Sequence, residues 1–311
     1  MPARAIHFGV TLPQIKRSWQ ETHAAAIELE SLGFDSLWLN DHLYGIPVPN
    51  IPILEAWTTL CAVGAVTSKV ELGLLVSPPG FRNPALHAKM AATLDHISGG
   101  RVIVGLGAGW FTQEFEGYGF RFPPTRERLS QLREAVTIMK RMWTEDTPSF
   151  HGKHFRIDSV ICEPRPTRRP PILIGGGGEK VLLRIAAEHA DIWNNLAVHQ
   201  AALPAKIEVL RRHCDDVGRD FGAITLSQQT LVVIGENEDD GRQKMQKATG
   251  LYGGHLGDIE GAGIWGSAGQ VIERIRRHVD LGVRQFVIEF FGRDIRMPAR
   301  LFAEQVLPAF S

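Results

Sequence analysis

Three cysteines in 311 residues are too few for a disulfide framework. Cys61, Cys162 and Cys214 are far apart, odd in number and without the C-x-x-C spacing of a thiolate metal site. A reducing cytoplasm is the compartment this usage implies. Surplus charge is lacking as well: 34 Lys plus Arg face 34 Asp plus Glu, for a formal net charge of +0. That balance argues against nucleic acid or an anionic membrane as partner, because both need a basic surplus. No apolar run approaches the roughly 18 residues of a membrane span, and the run at 6–10 is too short for the core of a secretory signal. Several catalytic signatures are missing too, namely the Lys-Ser/Thr ending of a P-loop, the G-x-S-x-G elbow and the H-E-x-x-H zinc pattern. His151 and His154, three apart around a glycine, read as ordinary loop residues and not as metal ligands.

What the chain does have is a core and a surplus of glycine. Hydrophobic residues make up 44% of it, and 32 residues are glycine, about 10% against a background of roughly 7%. Short apolar runs alternate with segments of helical period. Strands at 6–10, 36–40, 71–76 and 102–105 are each followed by a helix, at 19–32, 53–66, 85–97 and 126–143. Beyond a Pro-rich connection, strands at 172–174, 191–194, 225–234 and 285–290 pair with helices at 179–187, 203–217, 239–249 and 295–310, with a further helix at 269–281. Eight strand-then-helix units predict an α/β fold, a (β/α)8 TIM barrel with insertions after its strands, forming a single domain over 1–311. An open doubly wound sheet is the alternative. In a barrel the segments 40–52, 77–84, 105–125, 175–178 and 250–267 would gather at the carboxyl-terminal mouth. The connection 144–171 is long enough to carry a small excursion near 151–156.

Three strand ends could carry chemistry. Trp38-Leu39-Asn40-Asp41-His42 ends an apolar strand in a carboxylate and an imidazole, which places His42 at the mouth as a proton donor or acceptor. The plainer reading has Asp41 capping a turn and His42 filling a gap. Adjacent strand residues point to opposite faces, so Asp41 need not be the group that orients His42. Gly105-Leu106-Gly107-Ala108-Gly109-Trp110 has G-x-G-x-G spacing and about fifteen residues before the next helix, so it is not a dinucleotide turn. Its glycines suit close approach of a flat ring with Trp110 as wall; a bulged strand end with Trp110 in the core is the other reading. Gly175, Gly176, Gly177 and Gly178 follow a strand and precede a helix, the arrangement in which free backbone N–H groups and a helix N-terminus bind a phosphate. A purely structural turn is the alternative there.

The run Phe81-Arg82-Asn83-Pro84-Ala85, then Ala91-Ala92-Thr93-Leu94-Asp95-His96-Ile97-Ser98-Gly99-Gly100-Arg101-Val102, then Gly105 to Trp110, resembles the signature of luciferase-like flavin-dependent oxidoreductases. The likeness extends through Glu114, Gly152-Lys153-His154-Phe155, Pro164-Arg165-Pro166, the four glycines and His189-Ala190-Asp191-Ile192-Trp193 to Gly282-Val283. It implies a TIM barrel, often a homodimer, with a flavin or deazaflavin at its carboxyl face. Asn40-Asp41-His42-Leu43 resembles the deazaflavin subgroup, so the expected cofactor is the deazaflavin coenzyme F-420 (F420 below), with FMN as the alternative. The resemblance implies catalytic His42 and Asp41, a ring edged by Gly107, Ala108 and Trp110, a phosphate held by Gly175 to Gly178, and a cis peptide between Leu75 and Val76 behind the ring. Deazaflavin-dependent sugar-phosphate dehydrogenases carry a glutamate in the 105–110 loop, where this chain has Ala108-Gly109, so a sugar phosphate is not implied. The aromatic residues Tyr44, Phe81, Phe111 and Trp265, with Trp110, suggest a small, largely apolar organic substrate. The expected reaction is hydride transfer to or from a carbonyl, alcohol or activated double bond. The alternatives are an FMN-dependent monooxygenase and a non-catalytic flavin-binding barrel.

Overall fold

Parallel strands whose two faces are both buried need a helix across each connection, and the chain supplies that alternation from end to end. The computed structural model describes residues 6–46 and 49–310. In order, the elements are β1 (His7–Thr11), α1 (Trp19–Ser31), β2 (Ser36–Leu39), α2 (Ala56–Val66), β3 (Glu71–Leu74), α3 (Pro84–Ser98) and β4 (Val102–Leu106). There follow α4 (Thr112–Gly117), α5 (Thr125–Thr144), a hairpin of β5 (Phe150–His151) and β6 (Arg156–Ile157), β7 (Ile172–Gly175), α6 (Leu182–His189), β8 (Ile192–Asn195) and α7 (Leu203–Val217). The last part holds β9 (Thr225–Ile234), α8 (Glu238–Leu256), α9 (Ile259–Ala262), β10 (Ile264–Gly266), α10 (Ala268–Asp280), β11 (Val283–Phe290) and α11 (Arg296–Gln305).

Eight of these strands close on themselves in the order β1-β2-β3-β4-β7-β8-β9-β11, with β11 pairing back to β1 in parallel register, His7 against Gln285 and Val10 against Ile288. This is the (β/α)8 barrel, and closure excludes the open sheet. Trp38, Leu75, Ile103, Leu173, Ile192 and Val287 fill its interior. The residues between them on each strand, such as Leu37, Leu72, Val104, Ile174 and Phe286, face outward into the larger core beneath the helices.

Local chemistry sets several boundaries. Ser18 and Glu21 form a capping box at the start of α1. Asn83 caps α3 with Pro84 in its first turn, and Gly99 ends it in a left-handed conformation at φ 69°. The excursion expected near 151–156 is the β5–β6 hairpin. Three expectations fail. The segment 250–267 is not a glycine-rich loop: its first part continues α8, and the remainder forms α9 and β10, the latter pairing with β9. The 105–125 loop contains α4, too short for its period to be read. Helix α6 begins at Leu182, several residues after the last glycine, and not at Glu179. Among the described residues no helix is long and apolar enough to cross a membrane.

Candidate active site

His42 leaves the end of β2 on a segment that is held rigidly. The buried Gln14 side chain accepts from the Asn40 backbone N–H at 2.9 Å and donates to the Asn40 carbonyl at 2.9 Å and to the Leu54 carbonyl at 2.7 Å. Asp41 and His42 then go to separate partners. The buried Asp41 carboxylate accepts from Arg82 at 2.6 and 3.2 Å, and Arg82 also donates to Glu55 at 2.7 Å, which itself caps α2. Burial pushes the Asp41 carboxyl above its ordinary range, against the opposing pull of the Arg82 guanidinium. Asp41 is thus fully occupied, with a side chain 0% exposed. Asp41, expected to be catalytic, has its side chain buried against Arg82 while His42 goes to a different partner.

The partner of His42 is Glu114. Its carboxylate lies 2.9 and 3.1 Å from His42 Nδ1 and accepts from the Leu43 backbone N–H at 2.9 Å. A carboxylate accepts only, so Nδ1 carries the proton and Nε2 is left as the acceptor of the neutral ring. Glu114 is buried on α4, 72 residues from His42 in the chain. Local spacing around His42 contains no sign of it. Trp110 and Phe111 stack at 5.2 Å and meet the His42 ring in T-shaped contacts, at 5.7 and 6.5 Å. Trp110 is 56% exposed, so it does not lie in the core. Gly109, at φ 73°, makes the turn before it, where a Cβ would sit tightly at 3.0 Å from Phe115 and 3.1 Å from Pro78.

The remaining predicted aromatics do other work. Phe81 is buried against Phe115 at 4.5 Å, and Tyr44 packs on Tyr118 at 5.6 Å with its hydroxyl over Gly117, so both hold α4 in place. Trp265 lies in a separate cluster with Leu231, Val233, Met245 and Ile259, and its indole N–H donates to the Glu260 carbonyl at 2.8 Å. Of the aromatics expected at the substrate pocket, Phe111 lies beside His42, whereas Tyr44 and Phe81 pack on α4 and Trp265 packs in this cluster. His255 on α8 joins the site instead, 6.2 Å from Trp110, with burial and the nearby His42 lowering its pKa.

The bond between Leu75 and Val76 is cis. The Val76 side chain lies over β4 and β7, where a Cβ on Gly107 would come within 2.4 Å of it and one on Gly175 within 2.8 Å. The glycines there make room for Val76 first, and Val76 forms the floor of the mouth. Gly107, Ala108 and Trp110 sit on the irregular segment between β4 and α4. Past Gly175 the chain stays open: the Gly176 N–H donates to the Asn194 carbonyl at 3.1 Å, and α6 starts without a side-chain cap. Lys206, almost buried, donates from Nζ to the Gly177 carbonyl at 2.6 Å and lies 3.3 Å from Glu179. A Cβ on Gly177 would meet His199 at 2.6 Å and Lys206 at 3.1 Å. A cation, an uncapped helix start and a turn without side chains meet here, which fits an anionic group. Among the described residues no group of three or more His, Cys, Asp or Glu is placed to hold a metal.

The family profile described as luciferase-like monooxygenase matches residues 5–255. An F420-dependent glucose-6-phosphate dehydrogenase of Intrasporangium calvum is 31% identical, the alignment covering 91% of this chain and 92% of the relative. A protein of the same name from Nakamurella multipartita is 27% identical over 97% of this chain and 96% of its own length. Among solved structures, an F420-dependent secondary alcohol dehydrogenase in complex with an F420-acetone adduct superposes with TM-score 0.85 at 22% identity, covering 98% of this chain and 99% of that one. The oxygenating component of an FMN-bound Baeyer–Villiger monooxygenase from Pseudomonas putida has TM-score 0.78 at 18% identity, covering 98% and 99%. A profile spanning most of the barrel, together with full-length relatives, places this chain in the luciferase-like monooxygenase family.

Proposed function

We propose that the protein is an F420-dependent oxidoreductase that transfers a hydride between the deazaflavin coenzyme and a small, largely apolar organic substrate. The observation that carries the reading is the His42–Glu114 pair at the barrel mouth, beside a floor of Val76 and a glycine turn backed by Lys206. The named dehydrogenase relatives support the cofactor. The residues present fit it: Val76 and Trp110 would hold a flat ring, and the N–H groups of Gly177 to Glu179 with the start of α6 would hold a phosphate. When bound, the deazaflavin supplies a two-electron hydride carrier.

This chain's own part is the proton. Glu114 fixes the His42 ring, so Nε2 accepts the hydroxyl proton as an alcohol loses its hydride, or returns it to a carbonyl oxygen in the reverse direction. Trp110 and Phe111 shield that exchange from water on one side. Asp41 and Arg82 position the His42 segment and take no proton from substrate. The chain acts as one domain over 1–311, a homodimer in the cytoplasm, with no nucleic-acid or membrane partner. The even charge and the three free cysteines support that setting.

Anaerobic titration with F420 and with FMN tests the reading. F420 binding tighter than FMN is expected, and His42→Ala should retain that affinity while turnover falls about 10²–10⁴-fold. Tight binding of FMN alone would point to the monooxygenase reading. Binding of either without turnover of any substrate would point to a carrier.

A further inference from the structure

Glu289 lies on β11 two residues beyond Val287, whose side chain is part of the barrel interior with Trp38, Leu75, Ile103, Leu173 and Ile192. Strand alternation puts Glu289 on that interior face, one layer nearer the mouth, beside Leu231 of β9; its neighbour Phe290 faces the outer core. Among the described residues nothing pairs with its carboxyl, and burial alone pushes that group above the ordinary carboxylate range. The residue is nonetheless only half-buried. Carboxyls on an interior face are ordinarily paired, so an unpaired one there is a group awaiting a partner.

The last turn of α8 connects this carboxyl to the catalytic end of the mouth. Tyr252 packs against the cluster that holds Leu231, the β9 residue in register with Glu289, and burial with the Glu289 charge raises the pKa of its phenol. His255, three residues on and so on the same helix face, reaches Trp110 at 6.2 Å and is influenced by His42. We propose that Glu289 is a specificity-determining residue that anchors a hydroxyl or amino group at the end of the substrate remote from the carbon oxidised beside His42. This rests on the oxidoreductase reading of the His42 site. A carboxyl in either protonation state accepts from such a donor, whereas a phosphate at that end would meet like charge. The substrate class is then an alcohol or ketone bearing a second, uncharged or cationic hydrogen-bond donor.

The F420-loaded enzyme, titrated calorimetrically with cyclohexanol and with trans-4-aminocyclohexanol, provides the test. Wild type is expected to bind the amino alcohol at least about tenfold more tightly, since a buried acceptor left unpaired penalises the analogue without a donor. Glu289→Leu should erase that preference while the F420 affinity, read separately by fluorescence, stays within about twofold. Glu289→Gln, which keeps shape and an acceptor, should retain part of the preference and serves if the leucine variant does not fold. Wild type binding both alcohols equally, or binding neither, would overturn the assignment, as would a preference that survives undiminished in Glu289→Leu or, if that variant does not fold, in Glu289→Gln. F420 affinity falling with Glu289 would make it a cofactor group instead. Failure of wild type to bind F420 at all would defeat the oxidoreductase reading and this inference with it.

Discussion

Asp41 and His42 are neighbours in the chain, yet one is closed in by Arg82 and the other is held at the mouth by Glu114. Strand alternation made that divergence legible, and His42 could be selected from its place at a strand end. Glu114 could not, because it comes from 72 positions away on a six-residue helix with too little periodicity to register. Gln14 and Lys206 were hidden for the same reason, each meeting the site through contacts far apart in sequence. At this scale the expectation concerns Glu114→Gln, which keeps an acceptor for the Leu43 N–H but removes the charge facing His42. Turnover should fall about tenfold to a hundredfold with F420 affinity held, as measured by steady-state kinetics beside a fluorescence titration.

Helices α2 and α3 meet at a histidine that the chemistry does not use. His87 of α3 is buried edge-on to Trp57 of α2, ring centroids 4.9 Å apart, and burial together with the Arg82 charge lowers its pKa to about 3. Folded, it stays neutral where the unfolded chain, with an ordinary value near 6.5, takes up a proton. Between those values the unfolded state binds more protons, so stability is full above about 6.5 and declines as pH falls toward 3. His189, lowered to about 4 mainly by burial, acts in the same direction. Denaturant melts from pH 7 to 4 should show a His87→Phe variant losing less stability on acidification than wild type, by up to a few kcal/mol. Elements of strong period, α1, α3 and α7 among them, were placed close to their observed ends. The 250–267 segment was not, since glycine tolerated inside α8 looks the same in sequence as glycine that ends a helix.

At the level of the whole barrel, the proposed cofactor site draws on the ends of β3, β4 and β7, strands adjacent in the sheet but distributed over about a hundred residues of chain. A ligand that bridges them binds only the folded state, so saturating F420 should raise the melting temperature, by about 5 °C at a hundredfold excess over its Kd. Gly177→Val tests the phosphate end of the site. Its side chain would displace His199 and Lys206, and the F420-dependent rise measured by thermal melting should disappear even where the unliganded variant still melts cooperatively.

The alternation of apolar runs with helical segments, the glycines at strand ends and the position of His42 follow from the sequence alone, because each depends on chemistry within a few neighbouring residues. Barrel closure, the Glu114 carboxylate on His42, the withdrawal of Asp41 to Arg82, the burial of Trp265 and the unpaired carboxyl of Glu289 were decided by the tertiary structure. Each of these depends on which distant elements the closed sheet brings side by side, and on which face of a strand is left facing the lumen.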